Sequence, residues 1–135
     1  MISRRFVLRI SAVAILSATA SPVLAAPRRN AAMRTLDTDN DGTLDLAEAK
    51  KAASALFARL DRDHDGTLDK RELAGRLSAK EFAAADPDHD GTLTMDEYLS
   101  LVEQRFNAAN PDKDGTLDAK ELNTRAGRAL LRLLR

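Results

Sequence analysis

The sequence predicts an all-α protein, a compact three-helix bundle carrying four carboxylate-rich loops, and three observations carry that reading. A twelve-residue pattern of acids around a glycine occurs four times, at Asp37 to Glu48, Asp61 to Glu72, Asp86 to Glu97 and Asn110 to Glu121. Loop starts are separated by 24, 25 and 24 residues, which leaves 12 or 13 residues between one loop and the next. The connectors place apolar residues at helical spacing, as in the stripe Tyr98, Leu101, Val102, Phe106 and Ala109. Each connector has room for one short helix, shared between successive loops.

Taken in order, the chain opens with Arg4, Arg5 and Arg9, an apolar run from Ile10 to Ala20, and then Val23, Leu24 and Ala25, a stretch with small residues suited to cleavage before Ala26. Residues 1–25 read as a cleavable signal peptide and 26–135 as one domain, exported to the periplasm. The apolar run is interrupted by Ser11, Ser17 and Thr19 and falls short of the roughly 20 residues a membrane span needs, so an anchor is disfavoured. Ser3, Arg4 and Arg5 followed by Leu8 resemble a twin-arginine signal, but arginine pairs are common in ordinary leaders, and the general secretory route is favoured.

The four loops have one chemistry. A hard cation takes six or more oxygens at roughly 2.3–2.6 Å, and a short loop wraps it only if alternate side chains face inward and one residue turns sharply. Gly42, Gly66, Gly91 and Gly115 stand at the turning position, where a missing Cβ makes unusual backbone angles cheap. Positions 1, 3 and 5 are Asp37, Asp39 and Asp41; Asp61, Asp63 and Asp65; Asp86, Asp88 and Asp90; and Asn110, Asp112 and Asp114. Position 7 offers a backbone carbonyl from Thr43, Thr67, Thr92 or Thr116, and position 9 is Asp45, Asp69, Thr94 or Asp118. Glu48, Glu72, Glu97 and Glu121 close the set at position 12. This is the EF-hand loop pattern, read here from residue spacing. Leucines at position 8, Leu44, Leu68, Leu93 and Leu117, are placed to pair neighbouring loops through a short β-bridge.

Between the loops, the first and third connectors lack glycine and proline and are expected to run as continuous helices. The middle one contains Gly75 and then Ser78 to Glu81, a capping-box pattern, so one helix stops there and another begins. That fold-back pairs loops two and three at one end and loops one and four at the other. Phe57, Phe82 and Phe106 recur four residues before a loop start, with Met33 in the same place before loop one, and are assigned to the core. The tail from Leu122 to Arg135 mixes leucines with Arg125, Arg128, Arg132 and Arg135; packing on the bundle is its plainest role, ahead of binding an acidic partner or a membrane surface.

Composition agrees with a binding protein. Of the 21 acidic residues, 18 fall on ligand positions, leaving Glu81, Asp96 and Glu103 outside. Without the leader the chain carries 18 positive against 21 negative charges, so a formal net charge of zero hides acids clustered in the loops and bases around them. There is no cysteine and hence no disulfide, and the aromatic residues are few, which leaves metal as the obvious further source of stability. His64 and His89 occupy loop position 4 with no second imidazole or thiol at ligand spacing, so they are read as solvated. No nucleophile with a base, phosphate loop or nucleic-acid motif is present, and the chain is expected to be no enzyme.

The tight connectors, the leader, Pro87 and Pro111 at loop position 2, and the run Phe106 to Thr116 closely resemble the lanmodulin family, periplasmic lanthanide-binding proteins of methylotrophic bacteria. The likeness spans essentially all of the chain after the leader. It implies selective binding of lanthanide(III) ions of the La, Ce and Nd class at up to four sites, metal-induced folding, and lanthanide uptake or trafficking beside a lanthanide-dependent dehydrogenase or uptake system. Asn110 matches a family in which the fourth site is the weakest. Departures are Thr38 and Arg62 where the family usually has proline, and Thr94 where it usually has aspartate. Sites one and two, with five acidic ligands each, are expected to be the tightest, and the protein to be a monomer or a metal-dependent dimer.

A periplasmic Ca2+ buffer or sensor is the nearest rival, because oxygen cages of this size accept either ion. A trivalent ion gains half again as much attraction to each carboxylate but costs more to dehydrate. Only Met33 and Met95 are present after the leader, which argues against a target-grabbing sensor with a methionine-rich groove. A dockerin-like module also uses closely spaced loops, yet here the loops fill the chain.

Overall fold

A computed structural model describes residues 30–135; the signal-peptide reading of residues 1–25 lies outside them. The chain is mostly helical. In order, the elements are α1 (Met33–Leu36), β1 (Leu44–Asp45), α2 (Leu46–Leu60), β2 (Thr67–Asp69), α3 (Ala79–Ala85), β3 (Thr92–Thr94), α4 (Met95–Ala109), β4 (Thr116–Leu117), α5 (Ala119–Leu122) and α6 (Arg125–Leu131).

The two connectors without glycine or proline become the fifteen-residue helices α2 and α4, each starting from a capping box at Asp45 with Glu48 or Thr94 with Glu97. In the middle connector the helix expected after loop two is replaced by turns over residues 70–76, and Gly75 takes φ +78°, a left-handed conformation that costs glycine little and keeps a helix from forming across it. Ser78 then starts α3: the Glu81 N–H donates to Ser78 Oγ at 3.2 Å and the Ser78 N–H to Glu81 Oε2 at 2.7 Å. Lys70 Nζ sits 5.5 Å from the centre of the Phe82 ring, tying the turn back onto α3.

The expected three-helix bundle is corrected to six helical segments among the described residues, two long and four short. The tail supplies part of the difference. Thr124 interrupts it, accepting a hydrogen bond from the Gly127 N–H at 3.0 Å and capping α6 as a separate helix from α5.

Strand pairing is antiparallel in both small sheets. β1 lies on β4 with Leu44 opposite Leu117, and β2 lies on β3 with Leu68 opposite Leu93. All four leucines are fully buried, so each pair is a plug between two loops as well as a backbone ladder. Helix α4 packs against both α2 and α6. The Phe57 ring meets Tyr98 edge-on at 5.6 Å, and the Tyr98 hydroxyl donates to the Leu133 carbonyl at 2.9 Å. Met33, Phe57, Phe82 and Phe106 are all buried, as are Leu130, Leu131, Leu133 and Leu134 of the tail. Arg105 fastens three elements: from α4 it donates to the Ala129 carbonyl of α6 at 2.6 Å and to Glu81 of α3 at 2.8 Å. Lys50 to Glu103, 2.6 Å apart, is a half-exposed ion pair worth under about 1 kcal/mol.

Candidate metal centre

Each loop is entered from a helix or turn and left through a short strand, and its backbone is shaped before any side chain is considered. Position 4 has positive φ in all four, at Asn40 (62°), His64 (59°), His89 (57°) and Lys113 (57°). Position 6 follows with Gly42, Gly66, Gly91 and Gly115 at 84° to 93°. Two left-handed residues two apart curl the chain around its own inside.

Position 1 lies at the bottom of that curl. Asp37, Asp61, Asp86 and Asn110 are between 4 and 8 % exposed, deep for polar residues. One carboxylate oxygen of each aspartate accepts the position-6 N–H, from Gly42 at 3.0 Å, Gly66 at 3.1 Å and Gly91 at 3.0 Å. The other oxygen differs from loop to loop. Asp37 Oδ1, Asp86 Oδ1 and Asn110 Oδ1 are buried without any hydrogen-bond donor, whereas Asp61 Oδ1 accepts the Asp65 N–H at 3.2 Å. A buried acceptor left unpaired costs on the order of 1–3 kcal/mol, a cost that a cation at the loop centre would remove.

Positions 3 and 12 converge on the same point. In loops one to three a ligand oxygen from each of Asp37, Asp39 and Glu48, of Asp61, Asp63 and Glu72, and of Asp86, Asp88 and Glu97 lies within 4.8 Å of the other two. The acids feel one another. Asp63 is raised above the ordinary aspartate range by loss of solvent first, then by the charges of Asp65 and Glu72, against the Asp65 N–H that lowers it. The Asp41 N–H lowers Asp39, but burial and the charges of Asp41 and Glu48 outweigh it and leave Asp39 raised. Asp88 is raised by sharing a hydrogen bond with Asp86; burial pushes Asp86 up, yet the Gly91 N–H and further donors hold it low. The donor set is all oxygen, negatively charged and crowded, which fits a hard cation of high charge.

The remaining predicted residues shape the loops in this structure. Asp41 Oδ1 accepts from the Thr43 N–H at 2.8 Å and hydroxyl at 2.7 Å, and Asp65 and Asp90 do the same with Thr67 and Thr92. Those two donors lower Asp41 and Asp65, hydroxyl first. Asp114 accepts from Thr116 in loop four. At position 9, Asp45, Asp69 and Asp118 accept the N–H of the position-12 glutamate at 2.7–2.9 Å, and Thr94 does this more loosely at 3.3 Å with its hydroxyl. Thr94 therefore keeps the cap while dropping a charge. Loop four brings Asn110, Asp112 and Glu121 in place of three acids, so it lacks the third carboxylate of the other groups.

One consequence of position 2 was missed in the sequence reading. The Thr38 N–H donates to Glu48 Oε1 at 2.6 Å, with the Thr38 hydroxyl at 3.0 Å, and the Arg62 N–H donates to Glu72 Oε1 at 2.9 Å. Pro87 and Pro111 have no N–H to give. In all four loops the position-9 N–H donates to Oε2 of the closing glutamate; loops one and two thus restrain both of its oxygens through the backbone, and loops three and four leave Oε1 without the position-2 donor. The signal was available, because proline's missing donor is legible in any sequence; its target was not.

With the geometry in place, comparison with known proteins adds a family. The EF hand profile matches residues 30–51, 54–78 and 79–102, more than half of the chain. The fourth carboxylate loop is outside these matches. No curated protein matches the chain significantly.

Proposed function

Because the chain belongs to the EF-hand family and binds metal ions through such loops, we propose that it is a selective carrier of trivalent lanthanide ions in the periplasm, folding around its cargo. The observation that carries the metal-binding part is the convergence of three carboxylates on a buried position-1 oxygen that lacks a donor in loops one and three. The resemblance of the connectors and of Pro87 and Pro111 to the lanmodulin family supports the choice of ion, the location and a role in uptake or trafficking. All four loops take part in this reading, in the pairs one with four and two with three.

The chain's own residues do three things in this account. Position-1, position-3 and position-12 oxygens would hold the ion, with position 5, position 9 and the position-7 carbonyl completing the shell. At an effective dielectric of about 20, two unit charges 4 Å apart interact by about 4 kcal/mol, so a third positive charge adds several kcal/mol per close carboxylate before dehydration is subtracted. Loops one and two, with five acids each, gain most. Finally, neutralising the cluster removes the repulsion that loosens the metal-free bundle, so binding becomes folding free energy. The protein works by binding and not by catalysis.

Calcium is the second reading, favoured by Thr94 and Asn110, which leave loops three and four with four acids each. Competition separates the two: with lanthanum and calcium buffered at equal free concentrations, the lanthanide reading requires lanthanum to occupy the loops at least a hundredfold more tightly. Equal loading leaves calcium.

A further inference from the structure

The tail arginines form a surface that metal binding does not use. Arg125, Arg128, Arg132 and Arg135 are spaced three, four and three apart and are exposed, while Leu130, Leu131, Leu133 and Leu134 between them are buried. Arg76 reaches over from the turn before α3, and its Nη1 donates to the main-chain oxygens of Arg132, at 2.7 Å, and Arg135. Arg76, Arg128, Arg132 and Arg135, with Ala74, Gly75 and Leu131, line a cavity of about 360 Å3. Arg125 joins Arg128 and Arg132 around an adjoining hollow.

No acidic side chain lines either space. Among the described residues the ion pairs are Lys50 with Glu103 and Arg105 with Glu81, and neither involves this group. Glu81, whose charge reaches Arg132, is already engaged by Arg105 and the Ser78 N–H. A helix C-terminus attracts one or two cations, but Arg125 stands at the first residue of α6, where the helix dipole disfavours positive charge. Arg76 is occupied by the main-chain oxygens of Arg132 and Arg135, but the guanidinium groups of Arg125, Arg128 and Arg132, held together around a concave surface, repel one another unless something negative sits between them.

We propose that this cleft binds a phosphate-class oxyanion, either free or carried as the headgroup of a phospholipid. Guanidinium forks match phosphate oxygens, and a tetrahedral dianion can take donors from several arginines at once, whereas a carboxylate is matched by one. Leu131 lines the cavity but is only 5 % exposed, and Leu130, Leu133 and Leu134 are buried, so attachment to a lipid would be through the headgroup.

The chain from residue 26 onward, folded by saturating its loops with metal, freed of unbound ion by gel filtration and held at constant ionic strength, is titrated with inorganic phosphate and pyrophosphate and followed by 1H–15N spectra. In parallel it is sedimented with phosphatidylcholine vesicles with and without phosphatidylglycerol. The expected result is saturable binding with shifts confined to the signals of Arg76, Arg128, Arg132 and Arg135, weakened at least tenfold in the double variant Arg128→Gln/Arg132→Gln. Its lanthanum titration and circular dichroism stay as in the parent. Binding of free phosphate identifies a soluble anion as the source, and binding to phosphatidylglycerol vesicles alone identifies the headgroup; both support the site. No saturable binding of any probe, or binding that the double variant retains, overturns it.

Discussion

Gly127→Ala gives two physical arguments opposite signs. In a helix interior, alanine is better than glycine by about 1 kcal/mol, so propensity alone predicts a gain in α6. The packing predicts a loss. A Cβ on residue 127 would sit 2.2 Å from the Glu121 carbonyl oxygen, 2.5 Å from Leu122 Cα and 2.7 Å from the Leu122 carbonyl carbon, all backbone atoms that no rotamer change can move. Restoring ordinary contact needs a retreat of about an ångström between α5 and α6, and overpacking of this kind costs about 1–3 kcal/mol or more. The net effect is a destabilisation of about 1–2 kcal/mol, which lowers the melting temperature of a domain this size by roughly 5–15 °C. Glu121 is also the closing residue of loop four, so its displacement should weaken the metal uptake of that loop before the others. Thermal melts followed at 222 nm, with and without saturating metal, test the first part, and a site-resolved titration tests the second. A melting temperature equal to or above the parent's would refute the packing argument.

Further substitutions probe other parts of the account. Tyr98→Phe leaves the Leu133 carbonyl without its donor and should cost about 1 kcal/mol at neutral pH in denaturant unfolding. Burial pushes the Tyr98 hydroxyl up from 10.0 to about 12, so its contribution is complete below pH 10 and is lost as pH rises toward 12. That is about 3 kcal/mol of alkaline sensitivity that the phenylalanine variant should not show. Thr38→Pro removes both donors to Glu48 Oε1 at a site where Asp37 already has the extended backbone that precedes proline. Calorimetry should show loop one binding metal about tenfold more tightly, corresponding to about 1.4 kcal/mol for freeing a charged acceptor, and unchanged affinity would contradict that. Lys113→Asn places a residue tolerant of left-handed backbone at φ 57° and should stabilise the fold by about 0.5–1 kcal/mol in a thermal melt.

Most of what could be read from the sequence was local. Helices α2 and α4 follow from apolar spacing without glycine or proline, and the start of α3 follows from Ser78 and Glu81, because a capping box satisfies its own donors within four residues. The convergence of Asp37, Asp39 and Glu48 was legible for a similar reason: twelve residues around one glycine leave the chain few ways to turn. The separate α6, by contrast, depends on Gly127 lying against the backbone of Glu121 and Leu122, a contact between elements that spacing does not encode. Arg105 looked like one basic residue among 21, yet it joins α3, α4 and α6 because both its partners arrive from other helices. The donor-free oxygens of Asp37, Asp86 and Asn110 belong to the same class, since burial is a property of the assembled bundle.

The central claim is that crowded, partly buried loop oxygens stay unsatisfied until a multivalent cation arrives, and that its arrival orders the chain. Far-ultraviolet circular dichroism of the metal-stripped protein across a buffered lanthanum titration tests this most directly. A cooperative rise in helicity that saturates as the loops fill is the predicted result. The same helix content with lanthanum and with chelator would contradict it.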